Sequence, residues 1–216
     1  MRLSGVIGGV GPLRSGMSLA SVEPLIERAF AQKHLNAVTL VINSPGGSPA
    51  QSSLIGSRIR RLADEKDIPV HAFVEDVAAS GGYWLASAAD DIWLDHSSVV
   101  GSIGVIAATF GAHKFIANYG IERRVHTAGT SKSMLDPFRP EKKEDVERLH
   151  GILEQLHETF IAQIKSRRGD KLSTETDLFT GEFWLGQKAI DLGLADGIGH
   201  AAQKLKELYG DKVKFA

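Results

Sequence analysis

The chain has no cysteine. That excludes a disulfide framework, a Cys-ligated zinc or iron–sulfur centre, and a thiol nucleophile. Charge of one sign is not in excess either: 25 Lys+Arg against 26 Asp+Glu give a net charge of −1, so there is no electrostatic footprint for nucleic acid. Long hydrophobic runs are also missing. The most apolar uncharged stretch, residues 97–112, is interrupted by Gly101, Ser102 and Gly104 and falls short of the 18 or so apolar residues of a membrane span. The first residues mix glycine with aliphatics and lack the dense apolar core of a secretory signal. These absences give the expectation of a cytoplasmic protein. With 216 residues, no low-complexity segment, no linker and no internal repeat, a single domain over residues 1–216 is expected.

What the chain has in excess is glycine, 23 residues, or about 11% where about 7% is usual. The rest of the sequence alternates short β-rich runs with helical stretches. Strands are expected over residues 3–10, 37–42, 70–75, 91–94, 103–107 and 123–126. The 37–42 run has little polar alternation and reads as buried on both faces. Helices are expected over 21–33, with Ser21 as N-cap and Pro24 in the first turn, and over 49–65, with Leu54, Ile55, Ile59 and Leu62 on one face. Further helices are expected over 81–89, 141–168, 181–194 and 200–209. Strands alternating with helices argue for an α/β fold with a largely parallel sheet.

Two of the glycine pairs follow strands and precede helices: Gly46-Gly47 in Asn43-Ser44-Pro45-Gly46-Gly47, and Gly81-Gly82 in Ala79-Ser80-Gly81-Gly82-Tyr83. Loops at the carboxyl ends of parallel strands converge on one edge of the sheet. Glycine there permits close backbone approach, and amides aimed at one point from two such loops would form an oxyanion hole. Neither loop is a phosphate-binding motif. Ser80 occupies the strand-to-helix turn, where a nucleophile would face a helix N-terminus. From local sequence alone, a plain N-cap role has the stronger claim on this serine. None of the eight histidines lies in a recognisable catalytic motif: His34, His150, His157 and His200 read as surface residues and His71 as a packed one. A lysine is the alternative base. Lys132, in a loop followed by apolar residues, is the best placed, and desolvation would favour the neutral form that a base requires. By itself a loop lysine reads as a solvated charge.

Taken in order, four segments resemble the S49 peptidases, the signal peptide peptidase A (protease IV) family of the ClpP/crotonase superfamily. They are 43–47, 79–83, Gly101-Ser102-Ile103-Gly104-Val105, and the run from Lys132 through Met134 and Asp136 to Phe138. A weaker fifth lies in 183–189 with 193–197. The resemblance implies an α/β ClpP/crotonase-like fold with repeated ββα units around a largely parallel sheet. It implies a serine endopeptidase with Ser80 as nucleophile, Lys132 as general base, Ser102 orienting the lysine, and the Gly47 and Gly81 amides as oxyanion hole. Gly46, Gly82, Met134 and Phe138 would line the substrate site, and Asp136 would lie nearby. No metal or cofactor would be needed. The partners implied are a peptide or protein substrate and further copies of the chain in a ring-like homo-oligomer with the sites facing its interior. No nucleic acid is implied, and the sequence gives no sign of membrane association beyond a peripheral place at the inner membrane face. ClpP carries its His about 25 residues after the serine. Here that position is Val105, so the likeness is to the Ser-Lys branch. The competing readings are a non-catalytic binding or assembly module on the same scaffold, a substrate-specific protease cutting a stomatin or a phage capsid scaffold, and an acyl-CoA lyase or hydratase.

Overall fold

A computed structural model describes residues 1–11, 14–129 and 131–215. The chain divides into two compact units, residues 1–104 with 159–216, and residues 105–158. The larger unit is built on a mostly parallel sheet, as the strand–helix alternation predicts. Its strands are β1 (Arg2–Ser4), β4 (Val38–Ser44), β5 (Val70–Ala79), β6 (Asp91–Leu94) and β9 (Gly197–Ile198), parallel and in that spatial order, with β7 (Val99–Gly101) parallel to β5 and β8 (Phe183–Leu185) antiparallel to β7. A small antiparallel ribbon pairs β2 (Gly9–Gly11) with β3 (Arg14–Ser15).

The expected strand over 3–10 is broken in two. Gly5 and Gly8 adopt φ of +94° and +89°, which turn the chain out of the sheet after Ser4. Helix α1 (Leu19–Phe30) begins earlier than expected: Ser18 is its N-cap, and Ser21 closes a capping box with it. That start places Pro24 beyond the first turn. Its missing N–H leaves the Ala20 carbonyl without its helical partner, and Ala20 is exposed to water. β4 alternates buried and half-buried residues instead of being sealed on both faces. On α2 (Pro49–Lys66), Ile55, Ile59 and Leu62 are buried as expected, while Leu54 is 48% exposed.

β5 carries the feature that shapes the site. Ile42 pairs with Val74 but Ser44 pairs with Ala78, so two extra residues bulge out of β5. The buried Ser98 hydroxyl donates to the Val74 and Glu75 carbonyls freed there (3.1 and 2.5 Å) and accepts the Asp95 N–H at 2.9 Å. At this bulge β5 changes neighbours, from β6 over residues 71–74 to β7 over residues 77–79.

An ion cluster in this unit is centred on a buried arginine. Arg168, 4% exposed, ends α5 (Lys143–Arg168) and donates to Asp196 at 2.7 Å and to the Gly193 carbonyl at 2.9 Å. Lys171 and the Ile92 N–H also donate to Asp196 (2.6 and 2.8 Å). Burial pushes the Asp196 carboxyl up, but the bonds from Arg168 and Lys171 outweigh it and hold the group below the usual carboxylate range. A depressed folded-state value means that the stabilisation is fully present above the unfolded value near 4 and is lost as pH falls below it. Asp196→Asn leaves Arg168 buried and unpaired and is expected to destabilise the fold by about 3 kcal/mol. Urea melts at pH 7 and pH 3 check this: the difference between variant and native chain should shrink at the lower pH.

The smaller unit holds α4 (His113–Asn118) and the N-terminal part of α5, and α4 buries no residue. The strands expected over 103–107 and 123–126 do not form. β-propensity counts only where a ladder accepts the segment, and neither run pairs with a described strand. Ile106, Phe110, Phe115, Tyr119 and Ile121 are all more than half exposed.

Candidate active site

Ser80 joins β5 to α3 (Gly81–Ser87), with φ 52° and ψ −122°. An L-residue in this region costs about 1–3 kcal/mol and persists only where its surroundings hold it. Here both backbone groups are tied: the Ser80 N–H donates to the Gly101 carbonyl (2.8 Å), and its carbonyl accepts from Tyr83 and Trp84 (2.9 and 3.0 Å). α3 in turn is anchored by Tyr83, whose buried hydroxyl donates to the Leu194 carbonyl at 2.7 Å. Ser80 stands at the N-cap position, yet its side chain makes no capping bond. The capping role that local sequence favoured is therefore not the one it fills. The residue is half-buried at the carboxyl edge of the sheet.

The two glycine loops meet beside it. A Cβ on Gly46 would fall 2.7 Å from the Gly81 nitrogen and 2.8 Å from the Ser80 Cβ, and one on Gly81 would fall 3.4 Å from the Gly47 nitrogen. Only glycine allows backbones this close. The Gly46 carbonyl accepts the Ile7 N–H at 2.8 Å. A trans peptide is planar, with N–H and C=O pointing opposite ways, so the Gly47 N–H points away from Ile7, towards the Gly81 side. Gly81 is the first residue of α3, where an N–H has no helical acceptor. Among the described residues neither amide has a backbone partner. Gly82 packs on Ser44: a Cβ there would lie 2.3 Å from the Ser44 carbonyl oxygen.

Ser102 follows β7 as Ser80 follows β5. Ala79 pairs with Gly101, so the two serines succeed a matched pair on adjacent strands, about 5 Å apart. Both have positive φ, 51° at Ser102, whose N–H donates to the Glu182 carbonyl at 2.6 Å. The ring of Trp184 lies against Gly101, where a Cβ would come within 2.7 Å of it. Trp184 therefore buttresses the carbonyl that holds Ser80, a role its place in the weak fifth motif only hinted at. The Ile7 segment, which aims the Gly47 amide, left no signal in the sequence beyond its glycines.

Lys132 and its neighbours belong to the smaller unit. Lys132 is exposed, in a run of turns over residues 131–135. Asp136 braces this loop. It accepts from the Phe138 N–H (3.0 Å) and from Arg123 (3.1 Å), and the Phe138 bond leads the effects that hold its carboxyl below the usual range. Phe138 is 38% exposed, beneath the Arg123 guanidinium. Met134 and Asp136 help line a cavity of about 200 Å³ with Phe110, His113 and Arg139. Of the histidines, His71 is buried as expected, held by Asp91 (2.8 Å) and Tyr209 (2.7 Å). It sits at the opposite end of β5 from Ser80, roughly 23 Å along the strand once the two bulged residues are discounted.

No group of three or more metal-ligating side chains occurs among the described residues, and no helix there is long and apolar enough to cross a membrane. Residues 63–213 match the model of peptidase family S49. A protein of Brucella melitensis named as the Na(+)/H(+) antiporter NhaA is 54% identical over 217 residues, covering all of this chain and 29% of that protein. The chloroplastic serine protease SPPA of Arabidopsis thaliana is 34% identical over 207 residues, covering 92% of this chain and 30% of the plant protein. A provisionally named protease of Methanocaldococcus jannaschii is 32% identical over 174 residues, 81% of this chain and 55% of its own length. The chain thus spans between about a third and about half of the length of these relatives. On the match over residues 63–213, the chain belongs to peptidase family S49.

Proposed function

We propose that the chain is the catalytic domain of a serine endopeptidase with a Ser80–Lys132 dyad. The observation that carries this reading is the strained Ser80, its hydroxyl free of capping duty, beside two amides that lack backbone acceptors. Ser80 attacks the scissile carbonyl, and the Gly47 and Gly81 N–H groups stabilise the developing oxyanion. Neutral Lys132, oriented by Ser102, takes the serine proton, passes it to the leaving amine, and then activates the water that hydrolyses the acyl-enzyme. The parts given to Lys132 and Ser102 rest on the family motifs.

A lysine works as a base only when uncharged, and loss of surrounding water favours that form. Lys132 is exposed in the single chain, and the same unit exposes five large apolar side chains between Ile106 and Ile121. A second copy of the chain laid over this unit would cover both, so the working form is a homo-oligomer. The Brucella relative carries its matching segment within a longer protein named as an antiporter, which supports segments of membrane proteins as substrates and a working place at the membrane face. Gly46, Gly82, Met134 and Phe138 are proposed to contact the substrate. The test is a fluorophosphonate probe: mass spectrometry of the digested adduct should find it on Ser80, and a folded chain left unlabelled there would refute the nucleophile.

A further inference from the structure

Two successive peptide planes set the direction of the Gly47 amide. The second, between Gly46 and Gly47, is held by Ile7. The first, between Pro45 and Gly46, is held by a side chain: the Gly46 N–H donates to the Ser44 hydroxyl at 3.2 Å. The same hydroxyl donates to the Gly5 carbonyl at 2.7 Å, and Ser44 is fully buried. Ser44 also meets the second loop, because its carbonyl is the surface on which Gly82 rests. One residue at the end of β4 therefore touches the N-terminal segment, the loop that bears the Gly47 amide and the helix that bears the Gly81 amide.

We infer that Ser44 is a positioning residue that fixes the spacing and direction of the two oxyanion-hole amides. The inference rests on the peptidase reading above. Without the hydroxyl, the buried Gly46 N–H loses its partner and the exposed Gly5 segment loses its tie to β4, and the loop relaxes to satisfy the amide. The Gly47 amide then turns from the position where charge develops. This weakens binding of the transition state and leaves binding of the substrate nearly unchanged.

The experiment compares Ser44→Ala with the native chain on a peptide substrate and a peptide aldehyde, whose adduct with the serine presents an oxyanion to the hole. The expected result is a loss in kcat of about 10- to 100-fold, KM within about twofold, and an aldehyde inhibition constant that rises by the same factor as kcat/KM falls. Ser87→Ala, which removes another buried hydroxyl at the far end of α3, should leave all three unchanged. Should Ser44→Ala fail to fold, Ser44→Cys keeps the volume, weakens both bonds and carries the same expectation at smaller size. Unchanged aldehyde inhibition in a folded variant, or a loss confined to KM or to melting temperature, overturns the inference. Fluorophosphonate labelling of the native chain separates the two ideas: labelling with an unaffected Ser44→Ala removes Ser44's role alone, and no labelling removes the peptidase reading with it.

Discussion

Ser80→Ala should lower peptide hydrolysis by at least about 10⁴-fold, with the remainder coming from substrate binding and the two amides. The fold should be unaffected. The Ser80 hydroxyl makes no capping bond, so its removal breaks nothing, and alanine meets the same unfavourable φ. Stability should stay within about 0.5 kcal/mol of native, read by urea denaturation. Ser80→Gly sharpens the point. Glycine takes φ 52° without steric cost, so this equally inactive variant should be more stable than native by up to about 1–3 kcal/mol, less what its freer unfolded chain takes back. Retained hydrolysis in either variant would move the nucleophile elsewhere; an unchanged melting midpoint in Ser80→Gly would remove the strain.

Lys132→Arg should lower kcat by about 10²–10⁴-fold. Arginine keeps the charge and much of the reach but cannot give up its proton. Near-normal turnover would mean that another base acts. The same variant tests whether the dyad forms between copies. Lys132→Arg chains bring an intact Ser80, and Ser80→Ala chains bring an intact Lys132. If each lysine serves a neighbour, equal mixing restores about a quarter of native activity, the chance that a given site receives both native partners. If each lysine serves its own chain, the mixture stays inactive. The exposure of Lys132 on the single chain favours restoration.

Much of this architecture is legible in the sequence because it depends on local chemistry. The limits of β6 follow from a four-residue alternating run, and α3 follows from a strand end, two glycines and small residues. The break after Ser4 is harder to read. Leu3 to Val10 looks like one β-rich run, and only the positive φ of Gly5 and Gly8 shows the chain leaving the sheet. Ser21 was the plausible cap because it stands nearest the apolar periodicity, but the reciprocal bond with Ser18 decides the start. At the site, the two glycine loops were visible as motifs. The residues that aim them were not. Ser44 reads as part of a motif string, Ile7 as an ordinary strand residue and Trp184 as one aromatic in a weak match. Their work depends on contacts between segments tens of residues apart, which spacing along the chain does not encode.

The bulge in β5 also constrains how this edge of the sheet can change. Successive residues of a strand face opposite sides, and an insertion is absorbed as a bulge that bends and twists the strand where it sits. Two residues span Ile42 to Ser44, while four span their partners Val74 to Ala78. The excess is even. Ala78 therefore returns to the face it would have held with no bulge, and Ser80 emerges on the side where Gly46 and Gly81 meet. Removing both extra residues would preserve that parity at the cost of the hand-over from β6 to β7. Removing one would leave a one-residue bulge, with a different local bend and twist, and so re-aim Ser80. Length variation between Glu75 and Val77 is thus coupled to the aim of the Ser80 hydroxyl, even though it lies outside the site.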